Sequence, residues 1–182
     1  MISIAGLDPS LTGTGVVILN ADSKIGHTSE LIRTKKAEGT YGELFRLREI
    51  RDKACDMIDA AGCSLVVMEG LAFMARNTTA LVQLSALNYL IRDRLQNLCI
   101  PFVIVAPSTL KKFVTGKGNA KKDSMYLETY KRFGVSFTDD NLCDAYGLAK
   151  VGEAILLDDP SGLPQFQLEA VKLLKPQYAE PS

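Results

Sequence analysis

Ile2-Ser3-Ile4-Ala5-Gly6-Leu7-Asp8-Pro9-Ser10-Leu11-Thr12-Gly13-Thr14-Gly15 runs from a mostly apolar strand into a tight turn and sets one carboxylate at the junction. A short apolar run closed by Pro and Gly suits a buried strand, and its end holds a side chain with little freedom. Asp8 is therefore placed as a metal ligand would be. An Asp that merely opens a turn before Pro9 explains the same residues, since Asp favours that position. Taken alone, the stretch leaves both readings standing.

Outward from this stretch, Gly13 to Asn20 is rich in Val and Ile, and Ile25 to Thr34 returns as a third strand across Asn20-Ala21-Asp22-Ser23. Three strands on short links form an antiparallel meander. From Thr40 the period turns helical through Leu44, Leu47, Ile50, Ala54, Ile58 and Ala61, with Gly62 as the stop. Ser64 to Glu69 is a strand apolar on both faces that ends, like the first, in a carboxylate. A loop from Gly70 to Asn77 leads to a helix over Thr78 to Leu98, and Pro101 to Ala106 is a further buried strand. The remainder reads as helices: one starting near Ser108 or Thr109, one from about Lys121 to Phe133, one from about Leu142 to Leu157, and a short one around Gln167 to Leu174 closed by Pro176. The order predicts an α/β fold with a mixed five-stranded sheet flanked by helices, whose ligand sites lie at the carboxyl ends of strands. Asp8 and Glu69 both occupy such ends.

With 182 residues and 47% apolar content the chain suits one domain with a real core. The 21 basic and 21 acidic residues cancel, so any electrostatic binding surface has to be local. Cys55, Cys63, Cys99 and Cys143 form no CxxC pair and read as small core residues of a reduced, intracellular protein. No secretion signal and no apolar run of about 18 residues is present, so no membrane is expected and the location read is cytoplasmic, or its organellar or viral equivalent.

A third acidic position lies in Thr138-Asp139-Asp140-Asn141-Leu142-Cys143-Asp144-Ala145. Helical spacing sets Asp140 beside Asp144, and Asn141 beside Asp144. Asp139 needs only a structural role. Asp144, among Leu142, Cys143, Ala145, Leu148 and Ala149, is costly to bury without compensation. A basic partner would compensate it; a divalent cation shared with Asp8 and Glu69 would explain all three acids together. Magnesium prefers carboxylates and water, and two such ions about 3.5–4 Å apart hydrolyse phosphodiesters by activating water and stabilising the leaving oxygen. Between positions 111 and 122 stand Lys111, Lys112, Lys117, Lys121 and Lys122 without an acid, a local positive field suited to DNA phosphates. His27, far from these motifs, reads as structural or exposed.

With these residues in hand, the chain resembles the RuvC family of Holliday-junction resolvases, in the RNase H-like superfamily. Ile-Ala-Gly-Leu-Asp-Pro-Ser-Leu-Thr-Gly-Thr-Gly is similar to that family's first motif, Val-Val-Met-Glu-Gly to its second, Pro-Ser-Thr-Leu-Lys-Lys-Phe-Val-Thr-Gly-Lys-Gly-Asn-Ala-Lys-Lys to its basic motif, and Asp-Asp-Asn-Leu-Cys-Asp-Ala-Tyr-Gly-Leu-Ala to its last. The resemblance covers about residues 2 to 157 and implies a nuclease domain over 1–157, with 158–182 an extension forming one short helix packed on the same domain. It implies Asp8, Glu69 and Asp144 as metal-binding catalytic carboxylates and Lys111 and Lys122 beside the scissile phosphate. Two Mg2+ ions per site are implied, with Mn2+ as a substitute. Asn141 stands where the family carries a fourth acidic ligand, and Asp140 is the nearby alternative. Phe73 is the nearest aromatic to the family's crossover wedge. A homodimer would cut symmetric strands of a four-way junction, and a branch-migration motor is a partner by analogy alone.

Other functions fit parts of the pattern. A flap- or fork-cutting nuclease of the same fold, and a junction-binding protein that does not cut, share these motifs; the second is suggested by Asn141 and opposed by three acids. The first motif also resembles the phosphate hairpin of actin-like ATPases, which need a second domain that 182 residues do not accommodate.

Overall fold

The computed structural model describes residues 2–20, 26–71, 78–157 and 159–179. Its sheet has the order β3-β2-β1-β4-β5. Strands β1 (Ser3–Asp8), β2 (Thr14–Asn20) and β3 (His27–Ile32) form the antiparallel meander, while β4 (Cys63–Glu69) and β5 (Phe102–Val105) run parallel to β1. Every residue of β1 is buried, as a strand covered by helices on both faces must be.

Side chains alternate across the sheet, and that alternation sorts the core. On one face Ala5, Leu7, Val16, Ile18, Val66 and Met68 pack with α1 (Gly39–Ala60) and α2 (Thr78–Asn97) through Ile50, Ile58, Leu87, Ile91 and Leu95. On the other, Leu65, Val67, Val103 and Val105 pack with α3 (Pro107–Thr115), α4 (Lys122–Phe133), α5 (Asp140–Leu156) and α6 (Gln165–Ala179). Helix α6 enters this cluster through Ala170, Val171 and Leu174. Two steps beyond Ile4 and Gly6, and two beyond Leu65 and Val67, the same period brings Asp8 and Glu69 to the α5 face.

Helix α5 lies close to the sheet because β1 and β2 have glycine where it crosses. A Cβ on Gly6 would stand 1.8 Å from the Ala145 carbonyl oxygen, and one on Gly15 would stand 2.3 Å from that of Asn141. Further along, Gly152 of α5 sits over Ile4 and Val67, where a Cβ would come within 3 Å of both. The helix thus presses its own backbone onto the sheet at Gly6 and Gly15, and its N-terminal turn is delivered to the carboxyl end of β1.

Several sequence-based boundaries need correction. Helix α5 begins at Asp140 because Asp139 caps it, its Oδ1 accepting from the Asn141 and Leu142 amides at 3.0 and 3.4 Å. Helix α6 is longer than Gln167 to Leu174 and runs through Pro176. Beyond that proline Gln177 fastens to the open edge of β5, its Oε1 accepting from Ile104 N at 3.0 Å and its Nε2 donating to Ile104 O at 3.2 Å. Cys55, Cys63 and Cys143 are buried, but Cys99 is exposed at φ 55°, in the turn that ends α2. No helix among the described residues is long and apolar enough to cross a membrane.

Candidate active site

Asp8 and Glu69 end neighbouring parallel strands, whose register pairs Leu7 with Met68. Asp8 is only 5% exposed, and its carboxyl group and that of Glu69 lie close enough to act on each other's protonation. Burial, and then the facing Glu69, push Asp8 well above the usual carboxylate range, with Asp144 and Asp140 adding to the effect. Burial raises Glu69 as well, opposed by the Asp8 carboxyl group and by the charge of Lys111. Asp144, one turn into α5, is pushed up to about 7 by burial and by Glu69 and Asp140, against the pull of Lys111 and Lys122. Acids from β1, β4 and α5 therefore feel one another at a single sheet end. Like charges so disposed cannot all ionise without a counterion.

The basic segment supplies part of that countercharge. Helix α3 starts with Pro107 at its first turn and stops at Gly116, which takes the left-handed φ of 82°. Its Lys111 lines a pocket with Lys122, Met125, Tyr126, Asp140, Cys143 and Asp144. The Lys122 ammonium donates to the Asp140 carboxylate, which lifts the lysine and lowers the acid. Lys117 and Lys121 are exposed on the connection between α3 and α4. Lys112 turns instead to α6, where its Nζ meets Glu169 at 2.7 Å.

Asn141 lies against the turn after β1, its Nδ2 3.5 Å from where a Cβ of Gly13 would be. Asp140 is engaged with Lys122 and so stands on the rim. Phe73 falls outside the described residues. His27 is far from the acids and packs edge-on against Tyr146 and tilted against Phe137, with ring centroids 5.2 and 5.5 Å apart.

The donor set fits a hard divalent cation: carboxylate oxygens, buried in Asp8 and half-buried in Glu69 and Asp144, mutually repelling and fixed near element ends. No three Asp, Glu, His or Cys side chains among the described residues already form a set that could hold an ion.

Four contributors were not read from the sequence. Gly6 and Gly15 admit α5, and only their position within strands marked them. Tyr126 lies one turn after Lys122, a spacing visible in the sequence, and burial and Asp140 raise its hydroxyl. Asn88, 1% exposed in α2, donates from Nδ2 to the Glu69 carbonyl at 3.3 Å; an Asn between Leu87 and Leu90–Ile91 of an apolar stretch was the available signal.

Comparison with known proteins gives a consistent picture. The family profile described as crossover junction endodeoxyribonuclease RuvC matches residues 4–133. A crossover junction endodeoxyribonuclease RuvC of Ehrlichia ruminantium (strain Gardel) is 27% identical over 163 residues, covering 85% of this chain and 92% of the relative. Among solved structures, Thermus thermophilus RuvC in complex with a Holliday junction substrate superposes with a TM-score of 0.69 at 18% identity, covering 82% of this chain and 91% of that one. A second Thermus thermophilus RuvC structure gives 0.65 at 19% identity, with 81% and 91% covered. At these identities the structural likeness establishes the RNase H-like fold.

Proposed function

Since the chain belongs to the RuvC family of crossover junction endodeoxyribonucleases, we propose that it resolves four-way DNA junctions by hydrolysing phosphodiesters at the sheet end that carries Asp8, Glu69 and Asp144. The observation that carries this reading is the meeting of buried Asp8 with half-buried Glu69 and Asp144, acids from three elements, at one sheet end, with Lys111 and Lys122 beside Asp144.

In this reading Asp8, Glu69 and Asp144 hold two Mg2+ ions, for which Mn2+ substitutes, with the Asn141 amide oxygen or Asp140 completing the set. Such ions, when bound, generate hydroxide from water at neutral pH and neutralise the oxygen that leaves. Everything else falls to the chain. The buried strand ends fix Asp8 and Glu69, so little reorganisation accompanies the reaction. Lys111 and Lys122 meet the phosphate's free oxygens as negative charge builds there. The exposed ion pair of Lys122 with Asp140 is cheap to exchange for such a contact. Water's oxygen bonds to phosphorus, the strand's own bridging oxygen departs with a proton, and the nick can be religated.

A junction has two strands of equal standing, so paired nicks call for two pockets related by a twofold axis. Tyr41 and Phe45 of α1 and Val82 and Tyr89 of α2 are 92%, 71%, 67% and 64% exposed. Apolar side chains of that size left in water favour a partner, and a second copy gives the homodimer this substrate needs. A cytoplasmic location, or its organellar or viral equivalent, accompanies a DNA substrate of this kind.

The test offers end-labelled four-way junction, matched duplex and flap to the protein with Mg2+. Symmetric paired cuts confined to the junction are expected. Faster cutting of the flap would make the protein a debranching nuclease, and metal-independent binding without cuts would make it a junction-binding protein.

A further inference from the structure

A second cationic surface lies on the opposite side of the carboxylate site from the lysines of α3 and α4. Strand β3 ends at Ile32, which pairs with Thr14, and Asp8 pairs with the adjacent Gly15. The chain therefore leaves β3 at the same end of the sheet at which Asp8 and Glu69 stand. It leaves as Arg33-Thr34-Lys35-Lys36, with Arg33, Lys35 and Lys36 all exposed. Two strand spacings of about 4.8 Å separate β3 from β1, so the strip and the acids stand on neighbouring ground at the same sheet end. The sheet order thus gives cations beside β3 and acids at β1 and β4, with the lysines of α3 and α4 over the face that packs on β4 and β5.

This segment is held in place. Arg46 of α1 donates from Nε to Thr34 Oγ1 at 3.0 Å and from its guanidinium to the Leu11 carbonyl, tying the strip to the turn that follows Asp8. Arg33 reaches Asp139, the cap of the helix that carries Asp144, at 3.4 Å. That pair is open to water, with Arg33 68% exposed, so a phosphate can replace it at small cost. Lys36 and Arg46 also line a shallow depression with Gln83 of α2, where Glu43 is the opposing acid. Glu30 and Glu38 bound the strip in sequence without interrupting it. Three cations braced by a half-buried arginine beside a catalytic turn exceed what solubility requires.

We propose that Arg33, Lys35 and Lys36 form a second phosphate-binding strip that receives a duplex arm of the junction on the β3 side of the carboxylate site. The inference rests on the nuclease reading above and adds to it where the substrate lies. The strip grips backbone and reads no bases, so its contribution is to affinity and salt dependence.

The test measures binding of a fluorescent four-way junction without divalent metal across a KCl series, for the wild type, for Lys35→Ala/Lys36→Ala, and for Lys172→Ala/Lys175→Ala on the exposed face of α6. All four lysines are exposed, so folding is not at stake. The strip variant should bind about tenfold more weakly, with a log–log salt slope shallower by about one to two. Its cutting rate at saturating junction should match the wild type, and the α6 variant should lose less than half as much affinity. Wild-type affinity and slope in the strip variant, or an equal loss in the α6 variant, would overturn the strip while leaving the nuclease reading intact. A wild type that neither binds nor cuts the junction would overturn both.

Discussion

Asp144, pushed up to about 7, is protonated in the metal-free fold at pH 5 yet ionised in the unfolded chain, whose carboxylate titrates near 3.8. Folding then takes up a proton, so the stability linked to this group is full at acid pH and is lost as pH rises through about 7. Asp8 and Glu69 are raised in the same direction. The metal-free protein should consequently melt at a lower temperature at pH 8 than at pH 5.5, and Mg2+ should restore more of that loss at pH 8 than at pH 6, because a cation competes with protons for these oxygens. Differential scanning fluorimetry across pH, with Mg2+ or with EDTA, reads both effects; a Mg2+ response independent of pH would contradict the shared site. Asp144→Asn removes the charge but keeps the shape. Its metal-free melting temperature at pH 8 should rise, by an amount on the order of 1–3 kcal/mol in stability, and the Mg2+ response should shrink.

At the scale of elements, the site depends on how closely α5 approaches β1 and β2. Gly6→Ala sets a methyl group against the Ala145 carbonyl, and Gly15→Ala does the same at Asn141. Backbone cannot yield as a flexible side chain does, so each change should destabilise the fold by about 1–3 kcal/mol. Each should also slow junction cutting, since Asp144 is displaced with its helix; denaturant melts and single-turnover rates measure the two losses. Helix α6 braces α3 in a similar way. Gln167, 4% exposed, donates from Nε2 to the Phe113 carbonyl at 3.0 Å, and Arg132 Nε donates to the Val114 carbonyl at 2.8 Å. Those carbonyls end the helix that carries Lys111, and without side-chain donors they would have no intrahelical partner. Gln167→Leu should therefore cost about 1–3 kcal/mol in a urea melt. A loss smaller than the error of the melt would show that α3 holds its place without α6.

The strands and their polarity were legible because periods of two and of continuous burial are strong in Ser3–Asp8 and Cys63–Glu69. The convergence of Asp8 with Glu69 followed from that alternation. What the sequence could not carry was closeness: glycines in a strand suit a bulge as well as a helix crossing, and only the packed structure shows α5 seated on Gly6 and Gly15. The extent of α6 was hidden for a related reason. Pro176 is a stop signal locally, and tertiary contacts made by Gln177 with Ile104 override it. Cys99 was misread as core because its neighbours Leu98 and Ile100 are apolar, while the left-handed turn points it outward.

For the whole molecule, the homodimer proposed above would pair the exposed apolar residues of α1 and α2 and bring two carboxylate sites to one junction. Tyr89→Glu should shift the protein toward monomer in sedimentation and convert paired cutting into slow single nicks, with the site itself intact. Persistence of paired cuts from a monomer would remove the dimer from the mechanism. The central claim concerns the acids. Its most direct measurement is the single-turnover cutting rate of a four-way junction by Asp8→Asn in Mg2+, taken beside the affinity of the same variant for the same junction. A rate lowered by at least about a thousandfold with junction affinity unchanged is the predicted result; cutting at or near the wild-type rate would place the chemistry elsewhere.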